Sequence, residues 1–428
     1  MGKRTTEAKT LLIESFHAAV AAADPLHIVP RHLPAPPKGR TLVVGAGKAA
    51  ASMAKAVEDH WPAAAPLSGL VITRYRHGLP TRRIRVVEAG HPVPDESGEA
   101  AAREILEEVK RVGPDDLVLA LVSGGGSSLL SLPGPGIGMK DLKAVTRALL
   151  ACGASIQEIN TVRKHLSLIQ GGRLAAACRA PVLALIISDV TGDDPTHIAS
   201  GPFAPDPTTY EDALAILRDY RIDAPAPVLD HLQRGCTGHL PETPKPGDPV
   251  FARVENRIIA TAHGSLVAAG EYFRRRRIPT AILGDSVTGE AREVAQAYAA
   301  LAREVRAYGH PWRPPIALVC GGETTVTVQG KGRGGRNCEF LLALTLALDA
   351  LEDTHALACD TDGIDGTEDN AGAVCGPDTL ARARSLGLEA KERLADNDGY
   401  TFFERLGDLV TTGPTRTNVN DYRVILIL

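Results

Sequence analysis

The chain has 428 residues, of which 44% are hydrophobic and 23% charged, and its formal net charge is −4. That length allows two or three domains with buried cores, and the charge balance excludes a nucleic-acid surface, which needs a basic excess or a basic stripe. No apolar run of about 18 residues exists to span a bilayer, and Glu14 and His17 interrupt the N-terminal apolar stretch, so no signal-peptide pattern is present; a cytoplasmic location is expected.

Residues 5–29 carry helical spacing, with Leu12, Phe16, Ala19 and Val20 on one face, and the Pro-rich piece 30–39 ends that helix. Strands are expected at 42–44, 69–72, 84–87, 117–122 and 182–188, with helices after Gly47 and over 98–112. Strands alternating with helices predict a doubly wound, mostly parallel sheet. The stretch 224–249 is rich in Pro and Gly without clear periodicity, which places a domain boundary near it. Beyond it, strands are expected at 257–261, 279–283, 315–319, 323–328, 355–359 and 423–428, with helices over 291–307, 338–350 and 377–386. The expected domains are 1–240, including a helical lead-in (1–38) free to pack on either domain, and 250–428. Arg274–Arg277 read as a solvated helix end. The seven cysteines form no CxxC pair and read as buried free thiols.

Several glycine-rich turns follow the strands. Gly45-Ala46-Gly47-Lys48 opens a helix, and such a turn permits close backbone approach and offers amides to an anion. It is an incomplete dinucleotide fingerprint, because the third glycine position is Ala50, and it is not a Walker A loop. Ser123-Gly124-Gly125-Gly126-Ser127-Ser128 has the composition of an anion nest. Ser188–Pro195 places Asp189 at a strand end with Asp193 and Asp194 close by; these hard oxygens suit Mg²⁺, although N-caps and Asx-turns account for Asp193 and Asp194 equally well. In the second half, Gly321-Gly322-Glu323 follows a strand. Gly330–Asn337 then combines Lys331, Arg333 and Arg336 with four glycines, a pattern suited to gripping phosphate or carboxylate. Asp360–Gly366 is a carboxylate-rich turn without the glutamate that closes a calcium loop.

Taken in order, GAGKAA (45–50), GHPVPD (90–95), SGGGSSL (123–129), the segment 160–172, SDVTGDDP (188–195), ASGP (199–202), GGETTVTVQGKGRGGRN (321–337), DTDGIDG (360–366) and TGPTRTNVND (412–421) resemble the ATP-dependent glycerate 2-kinases that carry a C-terminal MOFRL domain. The resemblance covers nearly the whole chain. It implies two α/β/α domains, the N-terminal one Rossmann-like, with the active site in the cleft between them. It also implies phosphorylation of D-glycerate to 2-phosphoglycerate by ATP with Mg²⁺. Residue by residue, it places the family's lysine on Lys48 and its arginine on Arg336, with Arg333 the neighbouring candidate. Asp189 is expected to orient Mg²⁺ or accept the hydroxyl proton, with Asp193 a second metal candidate. Gly45, Gly47, Ser123–Ser128, Glu323, Arg333 and Asn337 are expected to contact phosphate or substrate. No nucleic-acid or membrane partner is expected, and a homodimer is left open. The competing readings are an NAD(P)H-dependent hydroxypyruvate reductase and a nucleotide sensor without catalysis.

Overall fold

The computed structural model describes residues 3–428, which fall into two compact units: Pro25–Ile259, and the segment up to Asp24 together with Ala260–Leu428. The first unit is built on β1 (Thr41–Ala46), β2 (Leu67–Arg74), β3 (Ile84–Ala89), β4 (Leu117–Val122), β5 (Val182–Ile187) and β6 (Val254–Ala260), in the order β3-β2-β1-β4-β5-β6. The pairings from β3 through β5 are all parallel. Parallel strands are covered by helices on both faces, so the central ones are apolar throughout; every residue of β1 and β5 is buried. Strand order runs outward from β1 in both directions. The crossovers therefore change direction between β1 and β4, the point where sheets of this kind open a ligand crevice at their carboxyl ends.

The second unit holds β7 (Thr280–Glu290), β8 (Ile316–Thr325), β9 (Thr354–Asp360), β10 (Gly372–Cys375), β11 (Leu409–Val410) and β12 (Asp421–Ile427), in the order β11-β10-β9-β12-β8-β7. Here β7–β8 is parallel and the other junctions are antiparallel. Alternation along each strand divides the core into two layers. Ile316, Leu318, Ile425 and Ile427 pack with the helices Ala291–Tyr308 and Arg336–Leu348. Ala317, Val319, Tyr422, Val424 and Leu426 pack with the lead-in helix Lys3–Ala22 and the helix Ala262–Arg275. The lead-in therefore belongs to the second unit, through Ala8, Leu12, Phe16 and Ala19.

Several elements differ from the sequence expectation. The aperiodic stretch 224–249 contains the helix Ala226–Cys236, because its proline lies in the first turn, where a missing N–H costs nothing. Its Val228 and Leu232 close a helical layer with Met139–Ala151, Ile156–His165 and Tyr210–Asp219. The strand expected at 323–328 is the tail of β8, which ends at Thr325. Five cysteines are buried, but Cys152 and Cys236 are exposed. Among the described residues no helix is long and apolar enough to cross a membrane.

A buried polar network braces the first unit. Lys164 Nζ donates to Thr196 Oγ1 (2.8 Å) and to Asp206 Oδ1 (3.4 Å), and both charged side chains are fully buried. His165 bridges Thr161 O (2.8 Å) and Glu242 Oε1 (3.0 Å). Burial alone would raise the Glu242 carboxyl, but the His165 hydrogen bond and the amides of Thr243 and Tyr210 hold it at about 2.

Two outcomes follow. Deleting Val424–Leu428 removes the strand that β8 and β9 both pair with, so the second unit should lose its cooperative melting transition; a truncated chain that melts like wild type contradicts this placement. A depressed carboxyl stabilises the fold above its unfolded pKa and loses that contribution as pH falls through the folded value. Glu242→Gln should therefore lower Tm at neutral pH, and the gap to wild type should close between about pH 4.5 and 2; a gap independent of pH over that range would show that Glu242 is not the titrating group.

Candidate functional site

The turn after β1 and the turn after β4 are locked together at the switch point. Gly47 N–H donates to Ile72 O (3.1 Å), Lys48 N–H to Gly124 O (2.8 Å), and Ser123 N–H to Ala46 O (3.2 Å). Ala49 N–H donates to Ser123 Oγ (3.1 Å). The glycines are required by this lock. A Cβ on Gly45 would lie 1.9 Å from Leu121 O, and one on Gly47 would lie 2.0 Å from Ser123 Oγ, with Gly47 at φ +143°. Their role is thus close approach of two backbones, and the amides of Gly47, Lys48 and Ala49 are taken up inside the fold. The amides of Gly124, Gly125 and Ser127 have no acceptor within the chain among the described residues. Anion-binding amides, expected on both turns, thus remain available only on the second.

Lys48 is half-buried, and its side chain runs past Gly125: a Cβ placed there would lie 3.4 Å from Lys48 Cγ and 2.9 Å from the His91 ring. The structure thereby adds His91, in the GHPVPD segment, to the surroundings of Lys48. Only the recurrence of that segment beside the glycine turns could have signalled it. Gln170 Nε2 fixes the same loop from beneath, donating to Ser127 O (2.8 Å) and Leu130 O (3.0 Å). Ser200 Oγ stands 2.9 Å from Ser127 Oγ and 3.1 Å from Asn160 Oδ1. Asp189 is half-buried just beyond β5, the sheet neighbour of β4. Asp193 occupies a positive-φ turn position, and Asp194 Oδ1 accepts from Thr196 N–H (2.9 Å), an Asx-turn. Among the described residues no group of three or more His, Cys, Asp or Glu side chains is placed to hold a metal.

In the second unit Arg336 sits among three carboxylates. Its Nε donates to Asp421 (2.9 and 3.0 Å), Nη2 to Asp360 Oδ2 (3.0 Å) and Nη1 to Glu323 Oε1 (2.7 Å). Burial would lower its pKa, but these carboxylates, Asp421 first, drive it well above the usual arginine value. Asp421 and Asp360 are buried, whereas the Glu323 side chain is 55% exposed. Asn337 is fully buried, and its Nδ2 donates to Asp421 Oδ1 (2.7 Å).

The helix Arg336–Leu348 begins on an anion supplied by the chain itself. Asp365 accepts from Asn337 N–H and Cys338 N–H, both at 2.9 Å, which is where a carboxylate complements the helix dipole. A Cβ on Gly335 would lie 2.3 Å from Asp365 Oδ1, so this glycine admits the cap. The preceding loop is occupied from Gln329 to Arg333, while the amides of Gly334 and Gly335 have no acceptor within the chain among the described residues. Gln329 and Gly330 N–H donate to Asn397 Oδ1, Lys331 N–H to Asp396 Oδ1, and Arg333 N–H to Asp398 Oδ1. The Arg333 guanidinium pairs with Glu368 and stacks over Tyr400, 4.3 Å from the ring centroid. Gly330 and Gly332 thus serve packing on 396–398, where a Cβ would lie 2.2 Å from Asp396 O and 2.4 Å from Asp398 Cβ.

Residues 11–233 match the family described as "Domain of unknown function (DUF4147)", and residues 316–421 match the MOFRL family. A protein from Agrobacterium vitis, provisionally named a hydroxypyruvate reductase, is 50% identical over 98% of this chain and 94% of its own length. The D-glycerate 2-kinase of Thermotoga maritima is 39% identical over 98% of each chain, and the glycerate 2-kinase of Pyrococcus horikoshii is 41% identical over 91% of this chain and 88% of its own. A crystal structure of the Thermotoga maritima glycerate kinase superposes with a TM-score of 0.87 and 38% identity, covering 99% of this chain and all of that one. The chain belongs to the glycerate 2-kinase family that joins a DUF4147 domain to a MOFRL domain, and it is a phosphotransferase.

Proposed function

We propose that this enzyme transfers the γ-phosphoryl group of ATP to the 2-hydroxyl of D-glycerate, giving 2-phosphoglycerate and ADP. The observation that carries the reading is the lock at the switch point, which sets the Lys48 side chain beside a loop with three available amides. Phosphoryl transfer needs positioning and charge neutralisation more than covalent chemistry. In this reading Lys48 and the amides of Gly124, Gly125 and Ser127 bind the oxygens of the reacting groups, and fixed donors of this kind need no reorganisation as charge develops.

Arg336 has a different task. Asp421 and Asp360 hold its Nε and Nη2 edges from buried positions, and exposed Glu323 covers Nη1. We assign Nη1 to a substrate oxyanion that displaces Glu323. Mg²⁺ keeps much of its coordination on the nucleotide phosphates and needs one or two protein carboxylates. Asp189, at the carboxyl end of β5, fits that donor set, and the ion would supply charge neutralisation across the phosphates. In this reading Asp193, at a positive-φ turn position, and Asp194, in an Asx-turn, serve the loop that follows Asp189.

A reductase binds its dinucleotide pyrophosphate on first-turn amides after β1. Those amides are taken up by Ile72, Gly124 and Ser123, which argues against that reading for this chain.

The test is ADP release from MgATP with and without D-glycerate, beside NADPH oxidation with hydroxypyruvate. Release that depends on glycerate, with no NADPH oxidation, is expected; the converse pattern would overturn the kinase reading. Lys48→Ala should lower kcat by about 10²- to 10³-fold; wild-type turnover would remove Lys48 from the chemistry. Arg336→Ala is the less clean probe, because it removes an ion pair from buried Asp360 and one of the two arginines, Arg336 and Arg423, that pair with buried Asp421.

A further inference from the structure

Arg163 is half-buried and stands apart from the fully buried cation beside it. Its neighbour in sequence, Lys164, is matched by Asp206, but no hydrogen bond, ion pair or ring contact reaches the Arg163 guanidinium among the described residues. It lines a narrow crevice with Ser127, Ser128, Ser131, Thr146 and Gln170, and no acidic residue lines that crevice. Burial without a countercharge brings Arg163 down to about 10. Thr146 is 6% exposed, and its hydroxyl also has no partner among the described residues. The other polar groups are engaged: Ser128 Oγ donates to Gly125 O (3.1 Å), Ser131 Oγ donates to Ser127 O (3.1 Å), and Gln170 holds the loop carbonyls.

A partly desolvated guanidinium with no anion carries a cost. A fold that keeps one, beside an unused hydroxyl and against an uncharged wall, has built a place for an anion that arrives from outside. The crevice belongs to the same loop as the Lys48 site: Gly125 meets Lys48, and Ser127 and Ser128, two and three residues on, line the crevice. An anion held in the crevice therefore sits against the loop that the Lys48 side chain passes. One guanidinium matches one carboxylate in charge and can take it through two parallel N–H bonds. A triphosphate carries several charges and is too bulky for so narrow a space.

We propose that Arg163, assisted by the Thr146 hydroxyl, binds the carboxylate of the hydroxy-acid acceptor and so selects acids over neutral polyols. This rests on the kinase reading above and names the residue that recognises the substrate's acid group.

The test uses Arg163→Gln, Arg163→Lys and Thr146→Val in the full chain, with KM measured separately for D-glycerate and for ATP. A second substrate, glyceramide, lacks the negative charge. Arg163→Gln should raise the KM for glycerate about 10- to 100-fold, leave the KM for ATP within about twofold, and collapse the preference for glycerate over glyceramide. Arg163→Lys should recover part of that preference, and Thr146→Val should raise the glycerate KM by a smaller factor. Because the substitution breaks no hydrogen bond or ion pair among the described residues, the Tm of Arg163→Gln should match that of wild type, which separates recognition from support of the fold. An unchanged glycerate KM overturns the proposal. So does a rise confined to the KM for ATP, which would assign the crevice to a nucleotide phosphate. A Tm loss with the glycerate-to-glyceramide preference intact also overturns it, by making Arg163 structural. Wild-type enzyme inactive with glycerate would instead overturn the kinase reading itself.

Discussion

The first unit depends on how closely two parallel strands can bring their exit turns together. β1 and β4 are neighbours at the switch point, and the polypeptide leaves them in opposite senses. The turns meet with room for hydrogen only at Gly45 and Gly47. That contact joins the Lys48 amide to Gly124 O and fixes where the Lys48 side chain emerges. It also leaves the triple-glycine loop, which the Lys48 side chain passes at Gly125, with amides that no acceptor takes up among the described residues. The site is therefore a consequence of sheet topology: the apolar strands set the spacing, and the glycines allow it.

The second unit reaches a comparable precision by electrostatics. Its helix Arg336–Leu348 starts on Asp365, its first residue is gripped by Asp421 and Asp360, and Asn337 joins Asp365 to Asp421. Arg336 is thereby held in one orientation with a single exposed partner, Glu323. An arginine fixed on two edges loses little rotational freedom on meeting a ligand, which is the physical meaning of a preorganised donor.

Much of this was legible in the sequence. The apolar runs at 42–44, 117–122 and 182–188 announced a parallel sheet because strands buried on both faces have no polar positions. The glycine turns marked the strand ends, and their order identified the family. What could not be read was which glycines serve packing and which leave amides available. GAGK and GKGR look alike in composition, yet their amides are claimed by Ile72 and Gly124 in one case and by Asp396–Asp398 in the other. Those partners lie tens of residues away in the chain, and no local pattern encodes them. The helix Ala226–Cys236 was hidden for a similar reason, since Pro227 reads as a breaker until its place in the first turn is known. Arg163 escaped notice because a lone arginine on an amphipathic helix ordinarily faces solvent.

The central claim is that the locked turns at the β1–β4 switch point hold the reacting groups. A crystal structure with D-glycerate and a nonhydrolysable ATP analogue tests it most directly. The account predicts glycerate and the terminal phosphate within hydrogen-bond distance of Lys48 and the amides of Gly124, Gly125 or Ser127. Phosphate bound instead on the amides of residues 330–335, with the Lys48 surroundings empty, would contradict it.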